Sequence, residues 1–411
     1  MKTDRSHPTN QAPTRRLWTA VFLAYLAFGG TLQLLPLTLA SRLQSDAAFV
    51  GLAVGIAFAA TALCRPFAGW IADAGAGKTI VAVGGLLALT GVVSQAFAGT
   101  GWQVLVARVV MGAGEAAVFS GALAWVLQAV PAERRSSTSG LFGLSMWSGL
   151  ALGPVLAVVA GRGGESIAWL TLTAVSLVAV VIALVLPASA LRGRRPAQTP
   201  LFWQRGQGAP SALFGMAAYG YGTISAILVL HLENGPGGAA WGLPVFACAF
   251  LLMRVAASRA VDRVGGHLVA VGTLAIEALG FVLLVTAGSA PAALIGVAFV
   301  GAGCSLAFPA AVGIMLARSP EGTSGAAVGR VTSFWDLGVL AAGVCAGVVA
   351  TELSYRAAFA AALGVTLLAL AISLTLAARS TGHRPGGRRR GLRPTPPRSA
   401  AGRRETSAPG E

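Results

Sequence analysis

Apolar stretches of bilayer-spanning length recur along this chain, separated by short breaks that carry Gly, Pro and charge. A helix needs about 20 mostly apolar residues to cross a hydrocarbon core. With the breaks as boundaries, spans fall near 17–40, 47–71, 79–99, 102–129, 138–160 and 166–187, and again near 211–231, 239–260, 267–288, 291–317, 326–350 and 356–378. The pattern predicts an all-α polytopic membrane protein with twelve transmembrane helices in two six-helix bundles. It also divides the chain into an N-terminal segment 1–16, a first bundle 17–187, a linker 188–210, a second bundle 211–378 and a basic tail 379–411. The linker carries Arg192, Arg194, Arg195 and Arg205 among prolines. The tail is rich in Arg, Pro, Gly and Ser and is expected to be disordered, because it has too little apolar surface to bury.

Composition sharpens this picture. Hydrophobic residues make up 55% of the 411 positions and charged ones 11%, with a mean hydropathy of +0.74. A soluble domain carries about 25% charged residues, so an ordinary cytosolic protein is excluded. The net charge of +16 sits in loops and the tail rather than on a folded basic face, which argues against nucleic-acid binding. Arg15, Arg16, Lys78, Arg134, Arg135, the linker arginines, Arg254, Arg259, Arg263, Arg318 and Arg330 fall on one side of the predicted topology, and Arg42, Arg162 and Arg356 on the other. Basic residues are retained in the cytoplasm, so both termini are expected there, in a cell-membrane protein. The tail would then lie near anionic headgroups. Cys64, Cys248, Cys304 and Cys345 are spaced unlike a metal site or a disulfide framework and read as packed free thiols. The polar start of the chain, running into a full-length span, predicts no removable signal peptide.

The halves resemble one another. Arg65 to Asp73 reads RPFAGWIAD, and 189 residues later Arg254 to Asp262 reads RVAASRAVD. At the same offset Gly112-Ala113-Gly114 matches Gly301-Ala302-Gly303, Pro131 matches Pro320, and one residue closer Trp147 matches Trp335. A duplicated six-helix unit is the arrangement that internal repeats of transporters produce.

Gly69-Trp70-Ile71-Ala72-Asp73 followed by Lys78, and its second-half counterpart Asp262-Arg263-Val264-Gly265-Gly266-His267, resemble the signature loop of the major facilitator superfamily. Arg108-Val109-Val110-Met111-Gly112-Ala113-Gly114 is similar to that superfamily's fourth-helix signature, associated with proton coupling. Gly149-Leu150-Ala151-Leu152-Gly153-Pro154 is similar to the fifth-helix signature of its drug/proton antiporters, with Ala157 and Val158 where a closing glycine is expected. The resemblance covers residues 17–378 and implies alternating access between two bundles. It also implies a conformational latch formed by Gly69, Asp73, Lys78, Asp262, Arg263 and Arg330, with Arg134 a further partner. A purely topogenic role for these charges is the plainer alternative.

Ionisable groups inside the hydrocarbon are costly and are functional by default. Arg108 and Glu115 lie seven residues apart on one helix, nearly two turns and hence one face. Movement of one relative to the other is expected to switch proton affinity, the alternative being a fixed ion pair. Asp336, mid-span beside Trp335, completes the proton-coupling candidates, and Glu277 reads as a helix-to-helix hydrogen-bonding group. Candidates for the substrate cavity are Tyr25, Gln33, Trp125, Trp147, Tyr219, Tyr221, Phe308 and Trp335, because aromatics in a midplane cavity offer stacking and cation-π contacts. Aromatics in membrane helices more often serve packing or anchor the interface, and His231 is expected near the outer surface. Small residues such as Gly112, Gly114, Gly149, Gly153, Gly301, Gly303, Gly338 and Gly343 are expected to admit close helix contacts, with Pro154 allowing a bend.

No nucleophile with a base, metal-ligand cluster or phosphate-binding loop is evident. No enzyme activity, metal or cofactor is expected, and a receptor or membrane enzyme ranks behind a transporter. The expectation is a secondary transporter using protons to export a small-molecule drug or metabolite, for which a monomer suffices. Import or facilitated passage of a sugar or organic anion in the same fold is the alternative.

Overall fold

The computed structural model describes residues 12–131, 134–187, 208–257, 259–316 and 324–382. Most of the expected linker, the start of the chain and the tail from 383 lie outside them. The helices are α1 (Thr14–Leu43), α2 (Ala47–Ile71), α3 (Gly77–Phe97), α4 (Gly101–Gln128), α5 (Arg135–Gly161), α6 (Glu165–Leu184), α7 (Gly208–Glu233), α8 (Ala239–Ala256), the short α9 (Ala260–Val264), α10 (Gly266–Thr286), α11 (Ala290–Ser305), α12 (Ala307–Leu316), α13 (Ser324–Glu352) and α14 (Tyr355–Gly382). Eleven continuous helical stretches among the described residues are long and apolar enough to cross a membrane. One of them, Ala47–Phe97, spans 51 residues, more than twice the length one crossing needs. It turns back through a π-helical segment, Ala72–Ala76, at Gly75, whose φ of 97° suits a residue without a Cβ. Counted as α2 and α3, it brings the crossings to twelve, with α11 and α12 forming one of them.

The tight turns follow local chemistry. Asp46 starts α2 by accepting a hydrogen bond from the Phe49 N–H at 2.8 Å. Thr100 and Gln103 form a capping box at the start of α4. The expected single span 291–317 is broken at Leu306. Pro309 explains the break: it has no N–H to offer the carbonyl four residues back, that of Ser305, and its ring crowds that carbonyl.

The expected close contacts at small residues are present. A Cβ on Gly112 would overlap the Ala57 carbonyl, and one on Gly114 would meet the backbone of Gly84 and Ala88, so α4 lies directly on α2 and α3. Gly149 and Gly153 of α5 abut the α1 backbone at Phe22, Leu26, Gly29 and Gly30. In the second half Gly301 meets Phe246 of α8, Gly303 meets Glu277 of α10, and Gly338 meets Gly215 of α7. Gly343 of α13 instead crosses between halves, approaching Gly51 and Gly55 of α2. Lipid gives no hydrophobic drive for helix association, so such backbone proximity carries the packing.

The halves meet along two seams, α2 with α13 and α5 with α8, and α1 touches α7 between them. The α2–α13 seam is closed tightly at the end away from the linker. There Gly347 approaches the Ala47 carbonyl, and the Ala48 N–H donates to Thr351 Oγ1 at 2.9 Å.

Candidate functional site

Midway along the α2–α13 seam, Arg65 of α2 and Asp336 of α13 form a buried ion pair between the halves. Arg65 Nε donates to Asp336 Oδ2 at 2.6 Å and Nη2 to Oδ1 at 3.4 Å. The carboxylate is only 1% exposed. The candidate acid Asp336 is thus buried at the seam, and its partner, Arg65, stands out in the sequence only as part of the repeat. The available signal was an arginine inside an apolar span, a position that demands a counter-charge.

The alternative of a fixed Arg108–Glu115 ion pair is not what the structure holds. Arg108 is fully buried and donates through Nε to the Ala53 carbonyl at 2.9 Å, through Nη2 to the Val54 carbonyl at 3.2 Å and through Nη1 to Thr31 Oγ1 at 3.0 Å, with its guanidinium 5.2 Å from the Phe28 ring. Helical side chains lean toward the N-terminus, so Arg108 extends away from Glu115, which follows it by seven residues. Arg108 braces α4 against α1 and α2. Glu115 keeps both carboxylate oxygens buried without a hydrogen-bond donor. Tyr25 donates to the Glu115 carbonyl at 3.3 Å and lies beside Arg65, whose guanidinium is 5.5 Å from the Phe119 ring. Glu115, Tyr25, Arg65 and Asp336 therefore form one buried polar chain from the first half into the second.

Beside it stands an aromatic cluster on the axis between the halves. Trp147 and Trp335, the repeat-related pair, meet edge to face with centroids 4.9 Å apart. Phe214, Tyr221, Phe250 and Phe308 pack around them. On the side away from the linker is a cavity lined by Leu32, Trp147, Pro154, Tyr221, Ser225 and Phe250 among others, with room for about one or two water molecules. Its walls come from both halves, and Tyr221 and Ser225 are its polar wall residues apart from the indole of Trp147.

Not every cavity candidate lies there. Trp125 is buried within the first half against Gly77 of α3. Tyr219 is half-buried near Cys345 of α13. Tyr25 serves the polar chain, and Gln33 crosses between halves by donating to the Ala239 carbonyl at 3.3 Å. His231 is buried against Tyr355 and Phe359 at the end away from the linker. Glu277 is fully buried on α10 with Gly220 of α7 against its carboxyl, and Cys304 and Thr366 nearby. All four cysteines are free, though Cys248 and Cys345 are exposed rather than packed. No group of three or more metal-ligating side chains occurs among the described residues.

Of the latch candidates, Asp73 accepts a hydrogen bond from Gln128 Nε2 at 3.0 Å, and Gln128 also donates to the Ala72 carbonyl. This ties the α2–α3 turn to α4 within the first half. Gly69 faces open space, Lys78 begins α3, and Arg263 is exposed at the end of α9. The side chains of Asp262 and Arg330 lie outside the described residues. Gly149, Gly153 and Pro154 join α5 to α1 and, through Pro154, line the cavity.

Two six-helix halves closing on a shared, mostly apolar chamber with buried charges beside it define a polytopic membrane transporter. The profile of the Major Facilitator Superfamily matches residues 17–213 and again 210–407. An MFS-type transporter of Salmonella typhimurium is 30% identical over 375 residues, covering 87% of this chain and 94% of the relative. The MFS-type transporter YhhS of Escherichia coli is 29% identical, covering 89% and 92%. Among solved structures, the peptide transporter POT in complex with alafosfalin superposes with a TM-score of 0.72 at 15% identity, covering 92% of this chain and 96% of that one. The nucleoside transporter NupG superposes at 0.69 with 14% identity, covering 89% and 98%. The chain belongs to the Major Facilitator Superfamily.

Proposed function

We propose that this transporter exports a small organic compound in exchange for protons, by alternating access, with Glu115 and Asp336 as the acids that carry the coupling. The observation that carries the reading is the Arg65–Asp336 pair, a buried charge contact joining the halves beside the central chamber. Arg65 Nη1 lies buried without an acceptor, and Glu115 keeps its oxygens without a donor. An arginine placed between two acids has a choice of partner. Protonation of Asp336 would remove the charge that holds Arg65 across the seam, leaving Arg65 to turn toward ionised Glu115 and the halves to part. Deprotonation would restore the bridge. Breaking one side of a buried pair costs about 3–5 kcal/mol, enough to bias a two-state equilibrium strongly.

Export is favoured by the Gly149–Pro154 run, which resembles that of drug/proton antiporters and here places Pro154 in the cavity wall. The bias of Lys and Arg puts the linker end of the helices in the cytoplasm, and with it both termini, in a cell membrane. The closed seam at Gly51 and Gly343 is then on the outer side. One copy contains the whole chamber, so the transporter works as a monomer.

The test is export of a panel of labelled compounds from an efflux-deficient bacterial host, with and without a proton uncoupler. Uncoupler-sensitive export that is lost in Glu115→Gln or Asp336→Asn supports proton antiport. Net accumulation of a compound, or export surviving both substitutions and the uncoupler, removes the antiport reading.

A further inference from the structure

Arg65, Arg108 and Arg254 lie on spanning helices, and their partners differ. Arg108 uses Nε and both terminal nitrogens on Ala53, Val54 and Thr31. Arg65 is neutralised by Asp336. Arg254 of α8, the repeat counterpart of Arg65, has no carboxylate in ion-pair range among the described residues, whose ion pairs are Arg42–Glu165 and Arg65–Asp336. The duplication explains why. At the offset of 188 that relates Trp335 to Trp147, Asp336 corresponds to Ser148 of α5. At the matching positions the second seam therefore repeats the cation of the first, with Ser148 in place of its acid.

Among the described residues Arg254 has one hydrogen-bond acceptor. Nη1 donates to the Ser305 carbonyl at 2.8 Å, the carbonyl that Pro309 strips of its helical donor. Nε is buried and takes no acceptor, so bracing the α11–α12 break leaves part of the guanidinium unused. That guanidinium lies 5.5 Å from the Phe250 ring and 5.9 Å from the Trp147 ring. Both rings line the central cavity. A cation with a spare, buried donor thus stands one helical turn below an aromatic, largely apolar chamber, between two faces on which a planar group can stack.

On the reading that this chamber receives the transported solute, we propose that the solute is an organic anion with an aromatic or broad apolar body. Its carboxylate or comparable acid group takes the place of the acid missing from the second seam, pairing with Arg254, while its body lies against Trp147, Phe250 and Tyr221. Arg254 would then sense occupancy on the α5–α8 seam as Arg65 senses Asp336 on the α2–α13 seam.

Equilibrium binding to the purified full-length protein in nanodiscs tests this without a gradient or a direction of transport, so it can fail separately from the proton-antiport reading. The probes are benzoate, 1-naphthoate and indole-3-acetate, each against its neutral carboxamide, followed by tryptophan fluorescence and by thermal stability. The expected result is binding of one or more carboxylates at least ~10-fold tighter than the matching amide, the scale of a charge-assisted hydrogen bond. That preference should disappear in Arg254→Gln, remain in part in Arg254→Lys, and disappear in Ser148→Asp, which supplies the missing acid internally. Ser148→Asp also keeps the test decisive if Arg254→Gln does not fold. Equal binding of carboxylate and amide, an unchanged preference in Arg254→Gln or Ser148→Asp, or no binding by any carboxylate of the panel would overturn the proposal.

Discussion

Arg65, Arg108 and Arg254 show how differently one residue type is made tolerable in an apolar helix. Carbonyls and a hydroxyl serve Arg108, a carboxylate serves Arg65, and a carbonyl freed by proline serves Arg254. The first is saturated and belongs to the scaffold; the other two stand at the seams between the halves. Removing Arg65 alone strands the Asp336 charge in the interior. Arg65→Gln is therefore expected to lower stability by about 3–5 kcal/mol, read as a drop in the unfolding temperature of the purified protein. Adding Asp336→Asn should recover most of that loss, because a buried amide pair demands far less desolvation than a lone carboxylate. By contrast, the exposed Arg42–Glu165 pair, at 3.1 Å with both side chains more than a third exposed, should contribute under about 1 kcal/mol.

At the scale of elements, glycines decide how closely helices approach, and their surroundings separate those that matter from those that do not. Gly112 lies against the α2 backbone, whereas a Cβ at Gly69 meets nothing within 4 Å. Gly112→Leu is expected to force α4 from α2, disturb the Arg108 contacts to Ala53 and Val54, and cost stability or yield of folded protein. Gly69→Ala should leave both unchanged. Size-exclusion profiles and thermal unfolding of the two variants would check this, and equal behaviour would mean that the α2–α4 contact can relax. The α11–α12 break belongs at the same scale: Pro309 removes one donor, and the consequence is a carbonyl that holds Arg254 at the rim of the chamber.

Across the whole molecule, the two seams are unequal. On the α2–α13 seam, glycines bring backbones into contact and a buried ion pair lies midway; the α5–α8 seam is looser and holds the cavity. Alternating access requires the close seam to part. In a background with Cys64, Cys248, Cys304 and Cys345 replaced by serine, the pair Ala47→Cys and Gly347→Cys is expected to cross-link under oxidation and to halt transport, and reduction should restore it. Transport unaffected by the cross-link would show that this end of the seam stays closed throughout the cycle.

The sequence by itself determined the number of crossings, the duplication and the placement of acids inside spans, because hydrocarbon solvent imposes long apolar runs and makes intramembrane charge conspicuous. The sites of close helix contact were legible for the same reason, as small residues repeated at matching positions. Local turns were less so: a π-helical turn joins α2 to α3, and a proline breaks the tenth crossing, through backbone hydrogen bonds that hydropathy does not register. Pairing of charges was decided only by the tertiary structure. Arg108 and Glu115 are near in sequence, but side-chain direction separates them, whereas Arg65 and Asp336 are 271 residues apart and meet because the duplicated halves place α2 against α13. Trp125 and Trp147 likewise look alike in the sequence, and the fold buries one inside the first bundle and sets the other on the axis between the halves. A helix pattern states which residues cannot face lipid; which neighbour they meet depends on how the other helices are arranged around them.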